Sequence, residues 1–268
     1  KLTIDTLNTT SFPFSRIFGH SVVGDTSSFF VFGGKGLNSE IYNDLWEFSI
    51  QTRKWTMIKT TQARPIARCF HCSCLCQNES KKYLVVYGGQ TQKKKTLSDV
   101  CLYDFDDNSW TIIESFAIGP RPRYMSSCAP LPGMKFVIVG GKDEKLVYGD
   151  SYIFDIETKA WTKITINGDR IIPRFGHRLL YLDGNILAIG GTSDEETMKD
   201  IKETVKVNRM TLMKSSIDFY EDYDILNETL DISMSSRIQS KNLLFFSIPP
   251  AFINLKTFKC TNIDEFGN

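Results

Sequence analysis

The sequence predicts an all-β fold of four-stranded antiparallel sheets packed radially about a common axis, and three observations predict it. Four apolar runs each close on a glycine pair: FFVFGG (29–34), YLVVYGG (83–89), KFVIVGG (135–141) and NILAIGG (185–191). The second glycines, Gly34, Gly89, Gly141 and Gly191, stand 55, 52 and 50 residues apart, a period that marks stacked or radial repeat units. Tryptophan follows at a nearly constant offset, with Trp55 and Trp110 lying 21 residues after their glycine and Trp161 lying 20 after. Leu212 holds the corresponding place in the fourth period.

Within each period the strands are read in order. The first is HSVV, HCSCLC, SSCAPL or HRLLYL, and the polar links GDTSS, QNESKK, PGM and DG lead into the apolar run. A strand apolar at every position is covered on both faces, which a lone sheet cannot arrange, so neighbouring sheets must supply the cover. The glycine pairs fit a strand end near a crowded axis, where positive φ and close backbone approach exclude a Cβ. The third strand alternates apolar and polar residues, as in NDLWEF, SDVCLYDF and GDSYIFDI, and turns through the corners QTRK, DDNS and ETKA into the tryptophan strand. Asp44, Asp99 and Asp150 recur eleven residues before the tryptophan and are expected to bond local backbone donors. Each tryptophan, burying on the order of 150–250 Å², is expected to wedge between adjacent sheets.

Composition narrows the function classes. Of 268 residues, 32 Lys and Arg stand against 31 Asp and Glu, so a net charge of +1 provides no bulk attraction to nucleic acid or anionic membrane. No apolar run approaches the roughly 20 residues of a membrane span, and the opening KLTIDTLNTT lacks the apolar core of a secretion signal. Seven cysteines, four of them crowded into CFHCSCLC (69–76), do not form the spaced framework of a disulfide-stapled secreted module. A cytoplasmic or nuclear location is expected, and Asn8, Asn78 and Asn227 open Asn-x-Ser/Thr triplets that matter only in a secreted chain.

The glycine pair, the aromatic before the final corner (Phe48, Tyr103, Phe154), the tryptophan and the Arg-x-Gly-His-like entry to the first strand together resemble the kelch repeat. The resemblance covers roughly residues 14–217 and implies a kelch-type β-propeller of four-stranded blades serving as a binding platform. On this reading 1–268 is a single propeller with clear repeats at 14–58, 64–113, 120–164 and 172–217. A degenerate fifth follows at 218–268, where SMSSRIQ, NLLFFSI and AFINLKTFKCTNI read as strands and Cys260 falls where a Trp is due. KLTIDTL (1–7) reads as an outermost strand that either closes the ring or is the stump of a sixth blade, and the sequence leaves both open.

The resemblance also implies a site. In ligand-binding kelch propellers an arginine at the end of the loop joining one blade to the next points into the central funnel and takes a carboxylate. The loops KTTQARPIARCF, ESFAIGPRPRYM and TINGDRIIPRFG place Arg68, Arg123 and Arg174 there, with Arg16 in the first repeat and Tyr124 and Phe175 beside the arginines. A guanidinium fork matches a carboxylate through paired bonds. The competing reading is that these arginines tie blades together through backbone carbonyls. The expected function is a non-enzymatic scaffold or substrate adaptor that binds a partner protein, or an acidic or carboxy-terminal peptide, at the central funnel face, without cofactor, within a larger multi-subunit complex. The alternative is a kelch-fold metalloenzyme of the galactose-oxidase-like or iron-dependent specifier type. Its ligands are hard to assemble, since His20, His71 and His177 all occupy one repeat position and the residues four before them are Arg16, Ala67 and Pro173. Cys69, Cys72, Cys74 and Cys76 with His71 invite a zinc reading, but alternate strand residues point to opposite faces, so small thiols packed between blades is the better account. Lys93, Lys94 and Lys95 against Asp194, Glu195 and Glu196 are read as solvated loops, and DFYEDYDILNETLD (218–231) as a flap over the funnel or a recognition arm.

Overall fold

The computed structural model describes residues 17–60, 63–114, 119–165, 167–168, 171–197, 199, 251–254 and 259–262. In the first sheet β1 (Ile17–Phe18) and β2 (Ser21–Gly24) both pair with β3 (Ser28–Gly36), which continues through β4 (Ile41–Ser49) to β5 (Lys54–Ile58). The second sheet runs in chain order through β6 (Cys72–Gln77), β7 (Lys82–Tyr87), β8 (Val100–Asp104) and β9 (Ser109–Ile113). The third repeats it with β10 (Ser127–Leu131), β11 (Lys135–Val139), β12 (Ser151–Asp155) and β13 (Ala160–Lys163). Both are antiparallel throughout, as the alternation of residue types requires.

The fourth sheet departs from the expected repeat boundaries. β14 (Asn167–Gly168) lies parallel on its edge, and β15 (Arg178–Leu182) and β16 (Asn185–Ile189) form the expected hairpin. The next two strands are β17 (Ala251–Asn254) and β18 (Lys259–Asn262), not strands from the residues before 217. Their register matches the other sheets: Phe48 faces Trp55, Tyr103 faces Trp110, Phe154 faces Trp161, and Ile253 faces Cys260. The tryptophan place in this sheet therefore belongs to Cys260, so AFIN and KCTN complete the fourth repeat instead of forming a fifth. Pairing is decided by which apolar strand covers β16, and Ile186 and Ile253 meet there fully buried; a count from Gly191 carries no such information. Residues 192–247 form a separate compact unit in which residues 195–197 are helical. Leu212, SMSSRIQ, NLLFFSI, the 218–231 segment and KLTIDTL lie outside the described residues.

Three apolar cores lie between successive sheets. Phe30, Phe32 and Leu45 of the first sheet meet Leu84, Val86, Tyr103 and Trp110 of the second. Val85, Tyr87 and Leu102 of the second meet Phe136, Phe154 and Trp161 of the third. Val137 and Val139 of the third meet Leu179, Ile186 and Ala188 of the fourth. The second strands of the two middle sheets, β7 and β11, are thus covered on both faces, and Trp110 and Trp161 act as wedges. The Trp110 ring lies 5.2 Å from Phe32 of the preceding sheet, and that of Trp161 lies 5.4 Å from Tyr87.

At their glycine pairs the sheets are stitched by backbone bonds. Gly34 N–H donates to Arg68 O at 2.9 Å, Gly89 N–H to Arg123 O at 2.9 Å, and Gly141 N–H to Arg174 O at 2.8 Å. A second series runs from Phe70 N–H to Gly19 O (2.6 Å), Met125 N–H to Phe70 O (2.7 Å) and Gly176 N–H to Met125 O (2.9 Å). All four residues of this series are left-handed, including the bulky Phe70 (φ 58°) and Met125 (φ 54°). Such conformations persist in large residues only when surrounding structure enforces them. The first strands β2, β6, β10 and β15 stand side by side in that order and line a cavity of about 390 Å³.

Candidate functional site

The structure places Arg68, Arg123 and Arg174 at the expected loop ends but turns their side chains inward, and each is 0% exposed. Arg68 donates to Asp99 through both terminal nitrogens at 2.7 Å, to Gly88 O at 3.0 Å and to Ile66 O at 3.0 Å. Arg123 repeats the pattern with Asp150 at 2.5 and 3.1 Å, Gly140 O at 2.9 Å and Arg121 O at 3.0 Å, and stacks 4.2 Å over the Tyr148 ring. Arg174 donates to Ile172 O at 3.3 Å and Gly190 O at 3.4 Å. The expectation that these arginines face a partner is therefore corrected: their guanidinium donors are used inside the sheets. For Arg68 and Arg123 the reason is in the sequence, since Asp99 and Asp150 supply the carboxylates, and an arginine buried without one would carry a large desolvation cost.

The same finding corrects the role given to Asp99 and Asp150, and Asp44 likewise pairs with Arg64 at 2.6 Å. The backbone donors at the corners are met by other residues. Asp104 accepts from the Asp106 and Asp107 amides, Asp155 from Glu157 and Thr158, and Ser49 from Thr52. Arg16 lies outside the described residues. The pairing of Phe18 with Lys35 and Tyr124 with Lys142 makes Ile17 the counterpart of Arg123.

At the same loop ends, a contiguous set of rings crosses the four sheets. Phe18 lies 6.0 Å from Phe70, and Phe70 lies 6.4 Å from Tyr124. Lys142 Nζ then sits 5.7 Å from the Tyr124 ring centre and 4.5 Å from that of Phe175. Phe18 is 46% exposed, and Phe70, Tyr124, Met125 and Phe175 are half-buried. Tyr124 and Phe175, the aromatics expected beside the arginines, are thus brought together by a lysine that sequence reasoning missed. Its one signal is position: Lys142 follows a glycine pair directly, as do Lys35, Gln90 and Thr192. Burial pushes the Tyr124 phenol above its ordinary pKa, and the carboxylates of Glu144 and Asp143 push the same way, so it remains a hydrogen-bond donor at neutral pH. Beside this set Glu144 accepts from Thr96 Oγ1 at 2.6 Å and from Gln90 at 3.4 Å, tying two loops, while Lys93, Lys94 and Lys95 are exposed.

Cys72, Cys74 and Cys76 point together from β6 into the core shared with the third sheet, as small packed thiols. Among the described residues, no group of three or more His, Cys, Asp and Glu side chains is arranged to hold a metal ion, so the metalloenzyme alternative finds no donor set there. Nor is any helix among them long and apolar enough to cross a membrane.

Residues 19–209 match the family model described as the KLHDC2/KLHL20/DRC7 Kelch-repeats domain. The chain is 26% identical over 219 residues to acyl-CoA-binding domain-containing protein 5 of Arabidopsis thaliana, covering 81% of this chain and 33% of that protein. It is 28% identical over 211 residues to Kelch repeat-containing protein 2 of Saccharomyces cerevisiae, covering 72% and 23%. With the putative adagio-like protein 2 of Oryza sativa subsp. japonica it shares 33% identity over 169 residues, covering 60% and 26%. The matched region thus spans a third or less of each of these relatives. Four- and five-stranded sheets stitched at glycine pairs and wedged by tryptophans, together with a family match over most of its length, show that the chain belongs to the kelch-repeat family.

Proposed function

We propose that this kelch domain is a non-enzymatic interaction module that holds a partner protein, or an acidic carboxy-terminal peptide, on the rim of Phe18, Phe70, Tyr124, Lys142 and Phe175. Its sheets close into a propeller, and it serves as an adaptor in a larger complex of the cytoplasm or nucleus. The observation that carries this reading is Lys142, whose ammonium lies over two aromatic faces. A cation held this way is a fixed point for a carboxylate, and the surrounding half-exposed rings are the residue types that dominate interface energetics. The arginines support the site from behind by fixing the loops on which the rings stand.

Fluorescence anisotropy against an array of acidic peptides, each with a free or an amidated carboxy terminus, tests the reading. Peptides with a free carboxylate should bind, and Lys142→Ala or the pair Tyr124→Ala with Phe175→Ala should weaken them about 10- to 100-fold, the range of a charged hydrogen bond. Melting temperatures should stay within a few degrees. Equal binding of amidated peptides, or binding indifferent to all three substitutions, would contradict it.

A further inference from the structure

Four thiols face one another where the second and third sheets meet near the axis. Cys72, Cys74 and Cys76 come from β6 and Cys128 from β10, all buried and all free. The Cys74 and Cys76 sulfurs are 4.0 Å apart, Ser126 Oγ lies 3.5 Å from Cys72 Sγ, and Cys128 packs in the same buried cluster as Cys72 and Cys74. Cys72, Cys74 and Cys128 also line the cavity of about 390 Å³ between the first strands, whereas Cys76 does not. His20 and Arg178 line the same cavity, so it is polar and wide enough for a small oxidant.

The three cavity thiols do not share protons equally. Burial opposes ionisation of Cys128, but hydrogen bonds from Cys72 and Cys74 and the charge of Arg178 outweigh it and lower its pKa. Their contact with Cys128, reinforced by burial, raises the pKa values of Cys72 and Cys74. A thiol of lowered pKa lining a cavity with two thiols of raised pKa is the arrangement of a reactive cysteine with resolving partners. The other core cysteines lack it: Cys101 is buried beside Asp99 at 3.4 Å, and burial raises its pKa.

We propose that Cys128 is a peroxide-reactive thiol that closes a reversible disulfide with Cys72 or Cys74, joining the second and third sheets covalently beneath the aromatic rim. In the first step the Cys128 thiolate attacks one peroxide oxygen. The O–O bond breaks, the departing hydroxide takes up a proton to become water, and Cys128 becomes a sulfenic acid. The sulfur of Cys72 or Cys74 then attacks the Cys128 sulfur, the S–S bond forms, the S–O bond breaks, and the hydroxyl leaves with the thiol proton as a second water. Two thiols are oxidised and one peroxide is reduced to two waters.

The test is to expose the chain to hydrogen peroxide, alkylate the remaining thiols and analyse a non-reducing digest by mass spectrometry. A linkage between Cys128 and Cys72 or Cys74 should appear before Cys101 is modified, should vanish with dithiothreitol, and should raise the melting temperature while present. Cys128→Ser and Cys128→Ala, checked for unchanged circular dichroism, should leave Cys72 and Cys74 open to alkylation after the same treatment. The proposal is overturned if Cys128 stays alkylatable while Cys69 or Cys101 oxidises, if it proceeds to sulfinic acid without a linkage, or if Cys72 and Cys74 oxidise equally in both variants.

Discussion

Arg123 shows how a residue's position and its direction are separate pieces of information. Its place at a loop end was legible from the repeat, but its orientation depends on Asp150, 27 residues later, and on the Tyr148 ring, which a single repeat motif does not announce. Removing one member of a buried ion pair leaves the other uncompensated and costs about 3–5 kcal/mol. Arg123→Ala is therefore expected to lower the melting temperature by on the order of 10 °C, and a scanning calorimetry trace matching the parent would contradict that. Gly89 adds a backbone case: at φ 95° an added Cβ would stand 2.8 Å from Cys69 O and 2.9 Å from His71 Cβ. Gly89→Val should be found largely in inclusion bodies or melt far below the parent, and a soluble variant of parental stability would show the contact to be slack. The histidines set the pH response. Burial, then the charge of a nearby arginine, lowers His71 and His177 to about 3, so both are neutral in the fold and bind protons readily when unfolded. The unfolded chain binds more protons below about pH 6.5, so stability is fully present above that value and falls as pH drops toward 3. Urea midpoints measured from pH 7.5 to 5 should decline steadily, and a flat profile would mean that these rings are solvated.

At the scale of the strand and sheet, the glycine pair and tryptophan placed three sheets correctly because they report physical necessities: close backbone approach between sheets and a wedge between neighbours. Trp110→Ala should cost about 3–5 kcal/mol, since the ring fills the space between Phe32 and Tyr103, and chemical denaturation with an unshifted midpoint would refute the wedge. The fourth sheet was not legible, because its third and fourth strands arrive after residues 192–247 and carry Cys260 at the tryptophan place. Periodicity along the chain cannot register an insertion that leaves pairing intact. A chain ended at residue 247 removes β17 and β18 and exposes the edge of β16 with Ile186, so it should lose cooperative unfolding of the fourth sheet. Amide hydrogen exchange across 178–189 as slow as in the full chain would contradict the observed pairing.

For the whole molecule, the repeat family followed from sequence, while the division of labour between the arginines and the neighbouring rings did not. Pairing charge inside the sheets turns Arg68 and Arg123 into internal ties, and on the proposed function Lys142 with the rings meets the partner. Sequence spacing cannot separate these roles because the arginines and the rings sit at the same loop ends, one or two positions apart, and Lys142 joins them from after a glycine pair. The most direct measurement is a paired one, melting temperature and acidic-peptide affinity on Arg123→Lys and Lys142→Ala side by side. Arg123→Lys, which loses the paired bonds to Asp150, should melt lower yet bind normally at a temperature where it remains folded, and Lys142→Ala should melt normally yet bind weakly. The reverse pattern, with binding lost at Arg123 and stability lost at Lys142, would contradict the account.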